Sequence, residues 1–249
     1  MKKFSVFILS IVLLSCSKTE IPVNPVTTPA LGPDPAQYGT AFTNVPAPKD
    51  AVFYQVNMRA FSAAGNFQSV TARLDSIKAL GVNVVYLMPI YPVGTLRGIN
   101  SPYAVKDYKA VASEFGTLDD LRTLVNEAHT RNMSVMLDWV ANHTSWDNPW
   151  ITNKTWYQQN TAGNIISPAG YSDVAQLNFK NDTMRAAMIE ALRYWVFNAN
   201  IDGYRFDFAD LFLSIFGSKL TLHYEVYLLI NYCCLQRVQE RTTSTRVLI

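Results

Sequence analysis

Two stretches decide the fold class of this chain: Ser134-Val-Met-Leu-Asp-Trp-Val140, followed by Ala141-Asn-His143, and Ile201-Asp-Gly-Tyr-Arg-Phe-Asp207. Each is an apolar run whose last residues are polar or charged. A nearly continuous apolar run of this length is typical of a parallel strand that is covered on both faces. The two stretches therefore predict two buried strands with polar side chains at their carboxyl ends.

Further strands and helices alternate around these two stretches. Ala51–Val56 and Val82–Met88 are rich in β-branched and aromatic residues and predict two more strands. Apolar residues at helical spacing predict one helix over Asn66–Leu80 and another from Asn181 or Asp182 to about Asn198. A third helix is predicted after Thr117, which would cap its first turn together with Asp120. Strands that alternate with helices predict the α/β class, with a parallel sheet and right-handed crossovers.

The composition excludes several classes of protein. Of the 249 residues, 49% are hydrophobic and 12% aromatic, which is enough apolar material for a folded core and excludes overall disorder. The 21 Lys and Arg residues barely exceed the 19 Asp and Glu residues, so no basic surplus favours nucleic acid as a partner. Three cysteines are too few for a disulfide framework.

The amino terminus reads as a targeting segment. Lys2 and Lys3 precede the apolar run Phe4–Leu14, which is too short to span a bilayer but suits a signal peptide. The ending Leu13-Leu14-Ser15-Cys16 resembles the bacterial lipobox, which implies a lipoprotein signal peptide over residues 1–16 and lipid on Cys16. We expect a protein of the bacterial cell envelope, in the outer membrane, periplasm or cell surface, that contacts the membrane only through this anchor. An ordinary signal peptide with an incidental cysteine is the alternative. Residues 17–48, rich in Pro and Thr, predict a flexible linker.

Charged residues close the two strands that decide the fold. Asp138 lies in the earlier strand, and Arg205 and Asp207 close the later one. The carboxyl ends of parallel strands are where α/β folds place their chemistry. A carboxylate within an apolar run is costly to bury unless it is paired, and Arg205 lies two residues away, on the same face of the strand. Either Arg205 keeps a functional Asp207 ionised and oriented, or the two residues form a structural ion pair.

Six motifs in order resemble the α-amylase family of glycoside hydrolases, glycoside hydrolase family 13. Asp138-Trp-Val-Ala-Asn-His143 and Gly203-Tyr-Arg-Phe-Asp207 resemble the family's first and second signature regions. Upstream and between them, similar motifs are Phe53–Phe61, Tyr86–Pro92, Ser101–Tyr108 and Ala175–Asn178. The resemblance covers residues 51–210.

This resemblance implies the fold and the reaction. The fold would be a parallel (β/α)8 TIM barrel of the α-amylase type, with about the first four strand–helix units over residues 49–210. The reaction would be retaining hydrolysis of α-glucosidic bonds in starch-like glucans or maltooligosaccharides, by a nucleophile and a general acid about 5 Å apart. By motif position Asp207 would be the nucleophile, and Arg205 would orient it.

The resemblance also assigns the substrate side. His143 would bind sugar hydroxyls, Tyr103 would stack on the sugar ring, and Asp138 would lie at the substrate mainly as the partner that orients Arg205. Asn142 is a calcium ligand in many relatives, although Leu211 stands where they carry a histidine that completes the site. No organic cofactor is implied.

Two other functions fit the same motifs. One is a non-catalytic glycan-binding surface lipoprotein that uses Tyr103, His143, Trp139 and Trp146 as a sugar platform. The other is a glucosyl transferase or isomerase of the same family. Trp139 and Trp146 also suit a packing role, and the sequence leaves these alternatives open.

Residues 211–249 predict no domain. The family's general acid, a Glu on the fifth strand, should follow Asp207, but neither Glu225 nor Glu240 has a matching strand context. When codons are formed from each third base and the next two, Asn231-Tyr-Cys-Cys forces leucine at its inner junctions, and the following codons permit Ala-Glu-Gly. This pattern looks like the missing strand and indicates a frameshift near Asp210. We therefore expect this truncated chain itself to be inactive.

Overall fold

The structure, a computed structural model, describes residues 32–207 and the strand Tyr227–Ile230. The predicted signal peptide, Cys16, residues 17–31 of the predicted linker and the rest of the tail lie outside the described residues. Five parallel strands form the main sheet in the order β1-β2-β3-β6-β7, and β4 and β5 form a small antiparallel sheet. The strands are β1 Phe53–Val56, β2 Val84–Leu87, β3 Ser134–Val140, β4 His143–Ser145, β5 Val174–Gln176, β6 Gly203–Asp207 and β7 Tyr227–Ile230.

Helices connect the parallel strands, as in the first half of a (β/α) barrel. They are α1 Met58–Phe61, α2 Phe67–Thr71, α3 Leu74–Ala79, α4 Leu118–Thr130 and α5 Asp182–Ala199. The predicted cap of α4 is confirmed: Thr117 accepts from the backbone of Asp120, and the Asp120 carboxylate accepts in return from the backbone of Thr117. Asn181 caps α5. None of the helices among the described residues is both long and apolar enough to cross a membrane.

The predicted helix over Asn66–Leu80 is wrong in one respect. The structure divides it into α2 and α3, with a turn at Ala72 and Arg73. The hydroxyl of Thr71 donates to the carbonyl of Phe67, and the Arg73 amide donates to the carbonyl of Val70 three residues back. A side chain that competes for a backbone carbonyl and a tight turn of this kind interrupt a helix.

The predicted flexible linker is wrong for its last residues. The amide of Tyr38 donates to the carbonyl of Phe197 at 2.7 Å, at the end of α5. The Phe42 ring stacks on His129 of α4 with the ring centres 4.4 Å apart. Residues 37–44 therefore form a strap across the ends of α4 and α5, because polar groups and two aromatic rings find partners there.

A further difference lies in the tail. No strand was predicted after Asp207, but the structure pairs Tyr227–Ile230 in parallel with β6. The segment Tyr-Leu-Leu-Ile has high strand propensity, and it satisfies backbone groups of β6 that would otherwise form a sheet edge. The tail thus contributes one strand to the sheet.

Candidate active site

The pairing of β3 with β6 brings the predicted charged residues together. Asp138 lies opposite Arg205, and Val140 lies opposite Asp207. Nη1 of Arg205 is 3.1 Å from Oδ1 of Asp138 and 3.1 Å from Oδ1 of Asp207, so one guanidinium nitrogen bridges the two carboxylates. Side chains two residues apart on a strand share a face, as the sequence predicted.

The two carboxylates differ in their access to solvent. The Asp138 side chain is fully buried, whereas about a fifth of the Asp207 side chain stays exposed (0% and 20%). A substrate can therefore reach Asp207 and not Asp138. This difference supports a reactive role for Asp207 and a positioning role for Asp138.

Tyrosine hydroxyls complete the surroundings of Asp138. Oδ2 of Asp138 accepts a hydrogen bond from the hydroxyl of Tyr86 and a second one, of 3.2 Å, from the hydroxyl of Tyr103. Tyr86 lies in β2 opposite Met136, two residues before Asp138, so it faces the same side of the sheet. Tyr86 was not predicted as a site residue, because in the sequence it is one more apolar position of a buried strand. The register between β2 and β3 reveals its place in the site.

Burial and charge act against each other at this cluster. Burial raises the pKa of Asp138 above its ordinary value, although Arg205 and the Tyr86 hydroxyl favour the charged form. Burial alone would lower the pKa of Arg205, but Asp138, Tyr86 and Asp207 outweigh it and raise that pKa. Burial and the Asp138 carboxylate raise the pKa of Tyr103 to about 12. At neutral pH both tyrosines are therefore hydrogen-bond donors, and Arg205 is charged.

His143 begins β4, next to the end of β3. The Tyr108 hydroxyl contacts the carbonyls of Val140 and His143 at 2.7 and 2.9 Å, which fixes the turn between the two strands. Burial lowers the pKa of the His143 imidazole, while the Asp207 carboxylate and the Tyr103 backbone act in the opposite direction. Nδ1 lies 3.2 Å from the Asn142 amide nitrogen. Contacts with the Asn142 side chain and the Tyr103 backbone thus hold a largely neutral ring at the end of β3.

The prediction that Trp139 belongs to a sugar platform is wrong, because its side chain is completely buried. Its ring packs against Tyr91, Tyr108 and Tyr204 with centre distances of 5.0 to 5.8 Å. Trp146 is half-buried, and the guanidinium of Arg97 lies 4.1 Å from the centre of its ring. The aromatic residues under the strand ends therefore support the site through packing.

The described residues provide no cluster of carboxylates that would complete a calcium site at Asn142. Calcium takes about six to eight oxygen ligands, with carboxylates prominent among them. In the described part of the chain no group of three or more His, Cys, Asp and Glu side chains is arranged to hold a metal. The Asn142 amide contacts His143 instead. Leu211, the other position of this predicted site, lies outside the described residues, so calcium at Asn142 stays a prediction.

Gly94 allows β4 to approach the loop after β2. A Cβ atom at this position would lie 2.1 Å from Cβ of Ser145 and 2.2 Å from Oδ1 of Asp147. We expect Gly94→Ala to displace β4, which carries His143, and to lower the free energy of unfolding by about 1–3 kcal/mol. Denaturant unfolding measures this. Gly32→Ala is the matched control, because nothing lies within 4 Å of its Cβ position; an equal loss in both variants would contradict the prediction.

Comparison with known proteins shows which family this chain resembles. The family model "Alpha amylase, catalytic domain" matches residues 38–164. Alpha-amylase 3 of Dictyoglomus thermophilum is 30% identical over 193 residues, which cover 67% of this chain and 38% of that protein. The oligo-1,6-glucosidase of Halalkalibacterium halodurans is 30% identical over 207 residues, covering 68% of this chain and 36% of the relative.

The fold also resembles that of a solved structure. The crystal structure of an alpha-amylase from Lactobacillus plantarum superposes with a TM-score of 0.67 and 36% identity, and the match covers 74% of this chain and 46% of that one. The chain thus spans between a third and a half of the length of these proteins.

Proposed function

Because the chain belongs to the α-amylase family of glycoside hydrolases, whose catalytic-domain model matches residues 38–164, we propose that its strand ends form half of a retaining α-glucosidase site. The substrates would be starch-like α-glucans or maltooligosaccharides. Polar groups around one reachable carboxylate suit a sugar better than an apolar ligand.

One observation carries this proposal: the Arg205 guanidinium bridges a fully buried carboxylate and a partly exposed one. A nucleophilic carboxylate must be ionised, held in one orientation and open to substrate. Asp207 meets these needs, since Arg205 holds it from the protein side and Asp138 holds Arg205 in turn. In the reaction Asp207 would attack the anomeric carbon, the glycosidic bond would break, and water would later release the sugar with retention.

His143 and Tyr103 would place the sugar at Asp207. A neutral imidazole at His143 would contact sugar hydroxyls without placing a second positive charge beside Arg205. The half-buried ring of Tyr103, with its hydroxyl bound to Asp138, would offer a fixed apolar surface to the pyranose face. A ring whose orientation is set before binding loses less entropy when the sugar arrives.

The proton donor of this mechanism is not among the described residues. We propose that the 249-residue chain alone turns over no glucan, and that a frameshift near Asp210 separates it from the strand that carries the general acid. The nucleotide sequence decides the second point. Stop codons or unrelated residues in the alternative frame would exclude a frameshift. In the present frame, the strand Tyr227–Ile230 pairs with β6 at the position where the fifth barrel strand would lie.

An activated fluorinated glucosyl donor tests the nucleophile in the chain as it exists. Its leaving group departs without a proton, so the reagent needs no general acid, and the fluorine slows release of the sugar from the enzyme. We expect mass spectrometry to find one fluoroglucosyl group on the peptide that contains Asp207, and none in Asp207→Asn. Maltooligosaccharides should give no reducing sugar with the same sample. Labelling at another carboxylate would refute the assignment.

The non-catalytic alternative has a separate outcome. A glycan-binding protein would bind maltooligosaccharides in isothermal titration but would not be labelled at Asp207. The buried position of Trp139 and the Arg97 group over Trp146 weaken the proposed platform. A glucosyl transferase or isomerase would share every residue described above, and product analysis of the completed enzyme distinguishes it from a hydrolase.

We also propose that lipid on Cys16 anchors the protein in the bacterial cell envelope. The support is the sequence Leu13-Leu14-Ser15-Cys16 after an apolar run. Metabolic labelling with a radioactive fatty acid, compared with Cys16→Ala, tests it: label in the unchanged protein alone is the expected result.

A further inference from the structure

We propose that Tyr86 is a positioning residue of this site: its hydroxyl donates to Asp138 and keeps that buried carboxylate available to hold Arg205 against Asp207. The inference deepens the proposed function, on which only its activity measurement rests. It begins from the hydrogen bonds around a single oxygen atom.

Oδ2 of Asp138 accepts hydrogen bonds from three donors. They are the hydroxyls of Tyr86 and Tyr103 and Nη1 of Arg205, the last two at 3.2 Å. A fully buried carboxylate has no water to replace a lost donor, so each protein donor counts strongly. Among these donors only Tyr86 has neither a proposed contact with the sugar nor a bond to Asp207. Its only hydrogen-bond acceptor among the described contacts is Asp138.

The Tyr86 hydroxyl acts on Asp207 through Arg205. One guanidinium nitrogen is shared by Asp138 and Asp207. If Asp138 lost the Tyr86 donor, it would bind a proton more readily, and a neutral Asp138 would no longer fix Arg205. The guanidinium would then be free to leave its bridging position. Tyr86 lies in β2, one strand away from Arg205, so this effect passes across the sheet from β2 to β3 to β6.

A neighbouring tyrosine provides a matched control. Tyr91 is also buried, and its hydroxyl donates to the same residue, but to the backbone carbonyl of Asp138 at 2.9 Å. Tyr86→Phe and Tyr91→Phe therefore remove the same group from the same neighbour. Only the first variant removes a donor from the carboxylate.

The test follows the Asp138 carboxyl by carbon-13 NMR in the chain labelled at its aspartates, with the signal assigned from Asp138→Asn. We expect Tyr86→Phe to shift the Asp138 titration midpoint upward by about one pH unit or more, the effect of a hydrogen bond to a charged group. Tyr91→Phe should leave it in place. The charged and titratable groups that face Asp138 are Arg205, Asp207, Tyr103, Tyr86 and Tyr91.

A second variant guards against a folding defect. Fluorotyrosine at position 86 keeps the shape and makes the hydroxyl a stronger donor, so we expect a downward shift of the Asp138 midpoint. In the completed enzyme the acidic limb of the pH–rate profile should move in the same direction as the midpoint in each variant. Equal shifts in Tyr86→Phe and Tyr91→Phe, or no shift with fluorotyrosine, would overturn the proposal. Because the NMR measurement needs no turnover, its result is independent of whether the proposed function is correct.

Discussion

Asp207→Asn, made in the enzyme completed with the remaining barrel strands, should lower kcat by at least about four orders of magnitude, the size of effect seen when a catalytic nucleophile is removed. The amide has nearly the same shape, so the change removes the charge and the nucleophilicity and leaves the packing. KM should change little by comparison. Hydrolysis of a maltooligosaccharide, followed by release of reducing ends, measures the effect.

Two controls separate chemistry from folding. Asp119→Asn removes a carboxylate that is 85% exposed on α4 and bonded to Arg122, away from the strand ends, and it should retain full activity. Asp207→Gly supplied with azide and α-glucosyl fluoride should recover turnover, because azide attacks the anomeric carbon from the vacated side as fluoride leaves. The product would be β-glucosyl azide. Full activity in Asp207→Asn would refute the assignment of the nucleophile.

The pairing of Arg205 with Asp207 on β6 could be predicted because strand geometry is local. Side chains alternate along a strand, so Arg205 and Asp207 had to share a face. The cap of α4 was equally readable, since Thr117 and Asp120 satisfy each other within one turn. In both cases the partners lie within three residues of each other, and the sequence contains the whole interaction.

The residues that were missed depend on distant partners. Tyr86 belongs to the site only because the register between β2 and β3 places it opposite Met136. The sequence of either strand alone does not determine the register between two strands that a helix separates. Gly94 matters because Ser145 approaches it. The strap lies within a segment that has the Pro- and Thr-rich composition of a flexible linker. Its order comes from hydrogen bonds to carbonyls at the end of α5, such as that of Phe197.

Among substitutions at Asp138, Arg205 and Asp207, Arg205→Leu should be the most destabilising. It leaves the carboxylate of Asp138, whose side chain is fully buried, without its cation, and breaking such a pair from one side costs about 3–5 kcal/mol of unfolding free energy. The apolar leucine fills part of the space, so the loss comes mainly from the unpaired charge. Denaturant unfolding, compared with the unchanged protein, measures the loss.

The loss in Arg205→Leu should depend on pH. Burial raises the pKa of Asp138 in the folded state, and removal of Arg205 takes away the largest opposing effect. A carboxyl group whose pKa is higher in the folded than in the unfolded state stabilises the fold at low pH, and this contribution is lost as pH rises through the folded-state pKa. The deficit of the variant should therefore be small below the ordinary pKa of an aspartate and grow toward neutral pH.

The double variant Asp138→Asn/Arg205→Leu distinguishes an unpaired charge from a packing defect. With no carboxylate at position 138, the cost of burying an unpaired charge is gone, so the double variant should be more stable at neutral pH than Arg205→Leu alone. Its stability should also vary less with pH. The two hydroxyls of Tyr86 and Tyr103 can still donate to the amide oxygen of the new asparagine. Additive losses from the two substitutions, with no dependence on pH, would mean that Arg205 stabilises the sheet through its packing and not as the partner of Asp138.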